Sequence, residues 1–389
     1  MSIIKEISSK IRRMGKPGNN NVIQGTDADL SETLVYEALK AVIDPDLHKD
    51  IVSLGFVKKV KISSSCVNIV VQFTTPACPV KEELKKQCEE SVLSIPGVNE
   101  VKVDLTFPGP PQNTQISEKK NNGLIRVKNI IAVASGKGGV GKSTTAINLA
   151  RSLASSSAKV GVIDADIYGP SIPTLSQVGK PSQMDGDLVV PPEVNGIKFI
   201  SVSMFSQDDK AHILRGPMAA NLVKQFLSGA AWGELDYLLI DYPPGTGDIQ
   251  LTISQIASLA GAVIVTTPQE LALMDVKKSI SMFNTMKVPI VGIIENMSYF
   301  LCDECTKKHY IFQMGGGKKL SQNLGLPLLG EIPIEANLVK ASDKGLGFEG
   351  MDPKLRESYS QVTERFVREL AILNSKQTNS LGSFSLSWK

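Results

Sequence analysis

The chain of 389 residues has no long apolar run. The longest stretch without a charged side chain, residues 249–269, is interrupted by Gln, Ser, Thr and Gly and is typical of a helix followed by a buried strand. The sequence therefore predicts no membrane-spanning segment and no membrane partner. The first 25 residues also lack the apolar core of a secretory signal.

The sequence also has few cysteines and a small net charge. Five cysteines, an odd number in a chain of this length, are not typical of a disulfide framework, which favours a reducing compartment and metal or redox chemistry. A formal net charge of +3 is too small to indicate nucleic-acid binding, so no nucleic-acid partner is predicted. We expect a cytoplasmic protein, with an organelle stroma or matrix as the alternative.

The composition, 42% hydrophobic and 21% charged, is ordinary for a globular protein of two or three domains. A stretch rich in Pro, Asn and charge, FPGPPQNTQISEKKNNGL, predicts a linker that lets the first domain swing relative to the second. The predicted segments are a flexible basic N-terminus (1–25), which is basic enough for a transit peptide but short, a small α+β domain (26–106), the linker (107–126), a large α/β domain (127–373) and a polar tail (374–389).

Within the small domain, the apolar spacing predicts helices over 31–43 and 79–93 and strands over 57–62, 66–73 and 101–105. Cys78 precedes Pro79, which is placed as the first residue of the second helix. The helix dipole would then stabilise its thiolate as a ligand or nucleophile, and a small buried residue is the alternative. Asp44 and Asp46 are interpreted either as ligands or as caps of the turn around Pro45. His48 is expected to be a surface residue, and Cys66 and Cys88 are expected to be core residues.

The large domain opens on IIAVASGKGGVGKSTTAIN, an apolar strand, a glycine loop and a helix start. It fits the P-loop pattern G-x-x-x-x-G-K-[ST], whose backbone N–H groups surround phosphate oxygens. Lys142 is expected to reach the β and γ phosphates of ATP and the Ser143 hydroxyl to bind Mg²⁺. The predicted nucleotide-binding residues of the loop are Gly136, Gly138, Gly139, Val140, Gly141, Lys142, Ser143 and Thr144.

Strands alternate with helical patterns through the rest of this domain, which predicts an α/β fold with a doubly wound, mostly parallel sheet. The expected strands cover 129–134, 160–164, 197–202, 237–241, 262–266, 290–295 and 327–331. Acidic side chains end two of these strands. Asp241 follows the apolar run YLLI and is expected to hold Mg²⁺ through water, while Asp164 and Asp166 follow the run VGVI.

A pair of cysteines, Cys302 and Cys305, follows the strand at 290–295 by a few residues. Two thiolates bind one edge of a metal centre, whereas a closed zinc or iron-sulfur site needs four ligands. The chain has no second pair of this spacing, so two copies across a twofold axis would complete the site, which predicts a homodimer. A bridging [4Fe-4S] cluster, a zinc ion and a redox dithiol are the three alternatives.

The loop GKGGVGKST, with its extra Lys137, resembles the deviant Walker A loop of the MinD, ParA and nitrogenase iron-protein ATPases. The resemblance implies that Lys137 acts across a dimer on the phosphates held by the facing subunit. It also implies that Asp166 orients the attacking water, that Asp164 supports the magnesium shell, and that residues 243–248 form a switch. Asn296 would bind the adenine edge, with a turn asparagine as the alternative.

The whole arrangement resembles the Mrp/ApbC family of iron-sulfur cluster carrier ATPases, and the small domain resembles the FSCA-like domain through DPDLHKDIVSLGFV and TTPACP. The matching motifs are SGKGGVGKST, DADIYGPS, RGPM, DYPPGTGDIQL, TTPQELALMDV and ENMSYFLCDEC. The resemblance implies slow ATP hydrolysis that is coupled to the binding or transfer of a [4Fe-4S] cluster. The cluster would pass to apo iron-sulfur proteins. Arg215 matches a family motif, with a surface ion pair as the alternative. The sequence C-D-E-C-T departs from the usual C-P-x-C-G, and the added negative charge favours handover of an anionic cluster.

Two other classes of function compete with this interpretation. A MinD-like or ParA-like positioning ATPase would need a C-terminal amphipathic membrane helix or a basic surface, and the polar tail and small net charge predict neither. A zinc-clasped targeting chaperone would also use two cysteines across a dimer. It would need a methionine-lined apolar groove, which eleven scattered Met residues do not indicate.

Overall fold

The computed structural model describes residues 30–73, 75–107, 123–167, 169–181, 183–205, 216–245, 247–302, 304–305, 307–335 and 351–381. The basic N-terminus, most of the expected linker, Arg215 and the last eight residues of the polar tail lie outside these ranges. Within the described residues, none of the helices has the length and apolar character needed to cross a bilayer.

The small domain packs two helices against a three-stranded sheet. Its elements are α1 (Glu32–Leu39), β1 (Ile43–Asp44), β2 (Lys49–Asp50), β3 (Val57–Ser63), β4 (Cys66–Gln72), α2 (Lys81–Leu93) and β5 (Glu100–Thr106). The sheet order is β3-β4-β5, with β3 antiparallel and β5 parallel to the central strand. Ser31 caps α1 by accepting a hydrogen bond from the Leu34 N–H at 3.4 Å, as its position before the apolar pattern predicts.

The second helix of this domain begins later than its sequence predicts. Pro79 is not its first residue, since α2 starts at Lys81 and residues 79 and 80 form a turn. Cys78 therefore lies outside the first helical turn, where the helix dipole has its largest effect. Cys88 is fully buried in the core of the domain, and His48 is exposed, both as expected.

The predicted doubly wound, mostly parallel sheet is confirmed. In chain order the elements are β6 (Val127–Ser135), α3 (Lys142–Ser155), β7 (Val160–Asp164), α4 (Ile172–Ser176), β8 (Met184–Asp185), β9 (Leu188–Val189), β10 (Glu193–Val194), β11 (Ile197–Ser201), a 3₁₀ turn (Val202–Phe205), α5 (Gly216–Ser228), β12 (Leu235–Asp241), α6 (Asp248–Ile256), β13 (Leu259–Thr266), α7 (Glu270–Thr285), β14 (Ile290–Glu295), β15 (Phe300–Leu301), β16 (Lys308–His309), α8 (Gly316–Leu324), β17 (Leu328–Glu331) and α9 (Pro353–Leu381). The sheet has eight strands in the order β10-β11-β7-β12-β6-β13-β14-β17, all parallel except β10 at the edge.

The central strands are buried on both faces because successive side chains point to opposite sides of the sheet. In β6, Ile131 and Val133 join a cluster with residues of α3 and α9, whereas Ile130 and Ala132 join a cluster with residues of α5, α6 and α7. Both faces are thus covered by helices. Acidic side chains, such as those of Asp164 and Asp241, lie at the carboxyl ends of the strands, where the connecting loops begin.

The last helix closes one face of the sheet. Its apolar residues recur on one side and are buried against the sheet, at Leu355, Tyr359, Val362, Phe366 and Leu370. Each such side chain contributes roughly 2 kcal/mol through removal of apolar surface from water. The helix continues to Leu381, beyond the position where the polar tail was expected to begin, because no helix-breaking residue occurs between 374 and 381.

Candidate functional site

The glycine loop runs from the end of β6 to the start of α3. Gly139 and Gly141 have φ angles of +80° and +78°, in the left-handed region that side chains disfavour. A Cβ at Gly136 would overlap the backbone of Asp275 and Val276 in α7, so the first glycine of the motif is required for helix packing. The loop therefore has the curvature of a phosphate cradle, with the N-terminus of α3 at its end.

Lys142 and Ser143 converge on Asp241 at the carboxyl end of β12. The Lys142 ammonium donates to Asp241 Oδ1 at 2.5 Å, and the Ser143 hydroxyl donates to Asp241 Oδ2 at 2.5 Å. Lys142 is 7% exposed and Asp241 is fully buried. A hydroxyl and a carboxylate oxygen on adjacent positions are the hard donors that Mg²⁺ takes beside a nucleotide, so this donor set fits the ion.

Burial dominates the electrostatics of this site. It raises the pKa of Asp241, and the Lys142 ammonium, which pairs with the carboxylate, acts in the opposite direction. Burial also raises the pKa of Asp164, and the charge of Asp241 raises it further. A divalent cation beside these groups would favour their ionised forms and relieve the repulsion between them.

The two acids after β7 have different surroundings. Asp164 is fully buried and accepts hydrogen bonds from the Ser171 N–H at 3.1 Å, the Ile172 N–H at 3.2 Å and the Ser201 hydroxyl at 3.1 Å. It thereby fixes the start of α4, the segment that follows Asp166. Asp166 is half-buried, burial raises its pKa, and its carboxylate lies 3.9 Å from the Lys142 ammonium. Asp166 thus faces the inward-pointing lysine of the glycine loop.

Lys137 contrasts with Lys142. Its backbone is held in the loop, since the Ser135 hydroxyl donates to the Lys137 carbonyl at 3.0 Å. Its side chain is exposed on the outer edge of the loop, whereas Lys142 points inward. The two lysines of the motif therefore have different environments: Lys142 is buried inside the site, and Lys137 is exposed to solvent at the outer edge of the loop.

Asn296, directly after β14, contacts the glycine loop. Its Nδ2 donates to the Val140 carbonyl at 2.9 Å, and its backbone N–H donates to the Thr266 carbonyl at 2.7 Å. The side chain is 4% exposed, and a Cβ at Gly141 would overlap its amide. The amide thus supports the loop backbone here, and the role at the adenine edge remains a prediction.

Replacing Asn296 with Ala is expected to weaken ATP and GTP binding by the same factor, about threefold to tenfold, because the loop loses one buried hydrogen bond. Titration with fluorescent ATP and GTP analogues measures both affinities. Asn129→Ala is the matched control, since that amide donates to the Asp236 carbonyl at 3.0 Å, at the other end of β12, and it should change neither affinity. A loss confined to ATP would contradict a purely supporting role and assign the amide to adenine.

Glu295 is a buried carboxylate beside Asn296 that the sequence patterns did not single out. It accepts hydrogen bonds from the Ser298 hydroxyl at 2.5 Å and from the Gly317 N–H at the start of α8. Burial raises its pKa, and these two donors oppose the rise. The only signal in the sequence was a charged residue ending an apolar strand, the same signal that marks Asp241. Its contacts tie the segment after β14 to α8.

Cys302 and Cys305 lie on the loop of a short hairpin formed by β15 and β16. The Cys302 N–H donates to the Lys307 carbonyl at 3.1 Å, which closes the loop; Cys302 is half-buried and Cys305 is exposed. The base of the hairpin is fixed by a bridge between Phe300 and Ile334 and by the Lys308 ammonium 4.0 Å above the Tyr299 ring. The two thiols are therefore presented together at the surface, six residues beyond the asparagine that contacts the glycine loop.

An exposed apolar segment follows the hairpin. Ile311 is 59% exposed, Phe312 43% and Met314 72%, and two residues of α7, Leu271 and Met274, are 59% and 64% exposed. Apolar side chains concentrated in this way are typical of surfaces that meet another protein. These residues were not predicted as a surface from the sequence, although the run YIFQM a few residues after the cysteine pair was a visible signal.

The remaining sequence candidates lie elsewhere. Asp44 caps a turn through hydrogen bonds from the N–H groups of Asp46 and Leu47, at 2.8 and 2.9 Å, as the bland alternative for it predicted. Burial raises the pKa of Cys78 to about 11, opposite to the activation expected of a helix N-terminus. In the 243–248 segment, the Pro243 carbonyl accepts a hydrogen bond at 3.2 Å from the side-chain amide of Gln250 in α6.

Comparison with known proteins gives two family matches. Residues 126–370 match the model of the NUBPL iron-transfer P-loop NTPases, and residues 32–105 match a model described as iron-sulfur cluster assembly protein. The iron-sulfur cluster carrier protein of Synechocystis sp. is 43% identical over 82% of this chain and 91% of its own length. The chloroplastic Fe-S cluster assembly factor HCF101 of Arabidopsis thaliana is 45% identical over 82% of this chain and 60% of its own length.

Among solved structures, the nucleotide-binding protein of Archaeoglobus fulgidus in complex with ADP aligns with a TM-score of 0.51 and 43% identity. The alignment covers 57% of this chain and 88% of that protein. The similarity extends over most of the archaeal chain and supports the nucleotide-binding interpretation of the glycine loop.

Proposed function

The chain belongs to the NUBPL iron-transfer P-loop NTPase family, and from this membership we propose that it is an ATP-hydrolysing carrier of iron-sulfur clusters. Two relatives named iron-sulfur cluster carrier protein align over most of this chain and of their own length, at 43% and 42% identity, which supports the same function here. The cargo is a [4Fe-4S] cluster, held at the interface of a homodimer and passed to apo iron-sulfur proteins.

One observation supports this proposal most directly: two cysteines three residues apart share the loop of a hairpin that follows β14 in the chain. Among the described residues, no group of three or more His, Cys, Asp or Glu side chains is arranged to hold a metal ion. A four-ligand centre on these thiols thus calls for two more from a second copy. In a twofold-symmetric dimer that shares this centre, the same hairpin of each copy would lie at the axis.

In the ATPase reaction, the loop N–H groups and Lys142 bind the phosphates; Ser143, and Asp241 through water, would hold Mg²⁺, which would neutralise charge on the phosphates. Asp166 orients the attacking water, and Asp164 keeps α4 and the preceding loop in place through its capping hydrogen bonds. Lys137 reaches the phosphates held by the facing subunit, where it stabilises charge that develops during phosphoryl transfer. Hydrolysis would be slow without that second subunit, which links turnover to the dimer that holds the cargo.

Metal analysis of anaerobically purified full-length protein tests this proposal. We expect about four iron atoms and four sulfides for every two chains, with the protein eluting as a dimer in size-exclusion chromatography. About one zinc ion per dimer would contradict the cluster and favour a zinc-clasped interface. A monomer that holds iron and sulfide would contradict the shared site instead.

Partners and compartment follow from the cargo. The client proteins are apoproteins that take up a cluster. The exposed segment with Ile311, Phe312 and Met314 follows the cysteine pair closely in the chain, so it is the surface that would contact a client protein or the second copy. The reducing environment that labile clusters need is found in the cytoplasm and equally in an organelle stroma or matrix.

A further inference from the structure

The loop between β4 and α2 of the small domain is inserted into the ATPase. Thr75 is 5% exposed, and its Oγ1 accepts a hydrogen bond from the Tyr237 hydroxyl at 2.7 Å. Tyr237 is 1% exposed and lies on β12, the strand that ends in Asp241. Ala77 is buried in the same apolar cluster as Leu149 of α3 and Phe366 of α9. The small domain therefore contributes to the ATPase core rather than lying loosely beside it.

A second contact joins the turn after β1 to the last helix. The Arg368 Nε lies 2.9 Å from Asp46 Oδ1, with the two side chains 45% and 14% exposed. Asp44 fixes that turn by accepting the Asp46 N–H at 2.8 Å. Burial raises the pKa of Asp46 and the charge of Arg368 opposes the rise. An ion pair this exposed binds weakly, so it orients the small domain without holding it permanently.

Cys78 lies on the wall of a cleft between the small domain and the ATPase. A cavity of about 250 Å³ there is lined by Cys78 and Lys81 of the small domain, by Ser152 of α3 with Ser156 just after that helix, and by Glu364 of α9. The thiol is half-buried, and desolvation raises its pKa to about 11. Because hydroxyl and charged side chains line the cleft, separating its two walls exposes polar groups that water solvates favourably.

We propose that these contacts form a latch that shields Cys78: the thiol becomes fully accessible to reagents only after the small domain leaves the ATPase. Leaving breaks the Tyr237–Thr75 hydrogen bond, the Asp46–Arg368 pair and the packing of Ala77. The alternatives for Cys78, a reactive thiol and a buried residue, then describe two positions of one domain. The latch does not depend on the identity of the cargo.

Alkylation of the full-length chain by N-ethylmaleimide at pH 8, resolved by peptide mass spectrometry, tests the latch. Cys78 is expected to react about a hundredfold more slowly in the folded chain than in the unfolded chain, because its thiolate fraction is depressed and access is restricted. Tyr237→Phe should raise the Cys78 rate about fivefold, since one buried hydrogen bond of the closed position is lost.

Two internal controls separate release from unfolding. Cys88 is fully buried in the small-domain core and should keep its slow rate in every variant. Tyr242→Phe makes the same change at a tyrosine buried on the other face of the sheet and should leave Cys78 unaffected. Arg368→Gln removes the second contact without touching the ATPase core and should raise the Cys78 rate about twofold.

Three results would overturn the latch. Cys78 could react in the folded chain as fast as in the unfolded chain. Cys88 could accelerate together with Cys78 in Tyr237→Phe, which would mean that the small domain unfolds. If Tyr237→Phe does not fold, Arg368→Gln decides alone, and an unchanged Cys78 rate in that variant rejects the proposal.

Discussion

Lys137→Ala is expected to reduce the rate of ATP hydrolysis about a thousandfold and to leave nucleotide affinity within about threefold of the unmodified chain. The exposed position of Lys137 on the outer edge of the loop is the physical reason, since its ammonium does not share the buried site with Lys142. A charge that meets the phosphates only from the facing subunit contributes to the transition state more than to ground-state binding. Phosphate release gives the rate, and titration with a fluorescent ATP analogue gives the affinity.

Lys142→Ala is the matched control, the same substitution five positions along the same loop. It removes the ammonium that pairs with Asp241 at 2.5 Å, so nucleotide affinity should fall about a hundredfold or more. The fully buried Asp241 also loses its charge partner, so thermal unfolding must show that the variant remains folded. Equal loss of binding in both variants would remove the cross-subunit role of Lys137.

Mixing the two variants sharpens the test. In a mixed dimer, the Lys137→Ala subunit keeps a nucleotide site, and the Lys142→Ala subunit still supplies Lys137 to it. Half of the dimers in an equimolar mixture are mixed and have one complete site each, so about a quarter of the unmodified activity should return. Activity no greater than the sum of the separate variants would show that Lys137 acts within its own chain.

Cys302→Ser is expected to abolish the broad absorbance at ~400 nm that a cluster gives after anaerobic reconstitution, and the protein should no longer retain iron and sulfide. Because the pair shares one hairpin loop, loss of either thiol removes half of what each copy contributes to a four-thiolate site. The nucleotide site lies on other elements, so ATP affinity should remain within about twofold of the unmodified chain. Absorbance spectra and iron and sulfide assays before and after desalting measure the cluster.

Cys66→Ser is the matched control for a thiol in the other domain, half-buried on β4, and it should retain the cluster. A cluster that persists in Cys302→Ser with Cys305→Ser would contradict the hairpin site and place the cargo on other thiols. Adding Cys78→Ser to that double variant identifies whether the small domain holds it.

Local patterns in the sequence were enough to locate the nucleotide site. Strand, glycine loop and helix follow one another within nineteen residues, 130–148, so the geometry of the phosphate cradle depends on short-range interactions. Asp241 could be assigned because carboxyl ends of parallel strands meet at one edge of a sheet. The cysteine pair was also readable, since its spacing is local, whereas its placement on a hairpin loop depends on pairing between β15 and β16.

The sequence alone therefore determined the fold class, the glycine loop between strand and helix and the cysteine pair, because each depends on residues that are neighbours along the chain. Tertiary structure decided that Asn296 holds the loop carbonyl of Val140, that Asp164 caps α4, and that Thr75 and Asp46 of the small domain contact β12 and α9. Those contacts join residues up to 322 positions apart, as in the pair Asp46 and Arg368. Separations of that size leave no periodic trace in a sequence, because burial and hydrogen bonding there depend on how whole elements pack.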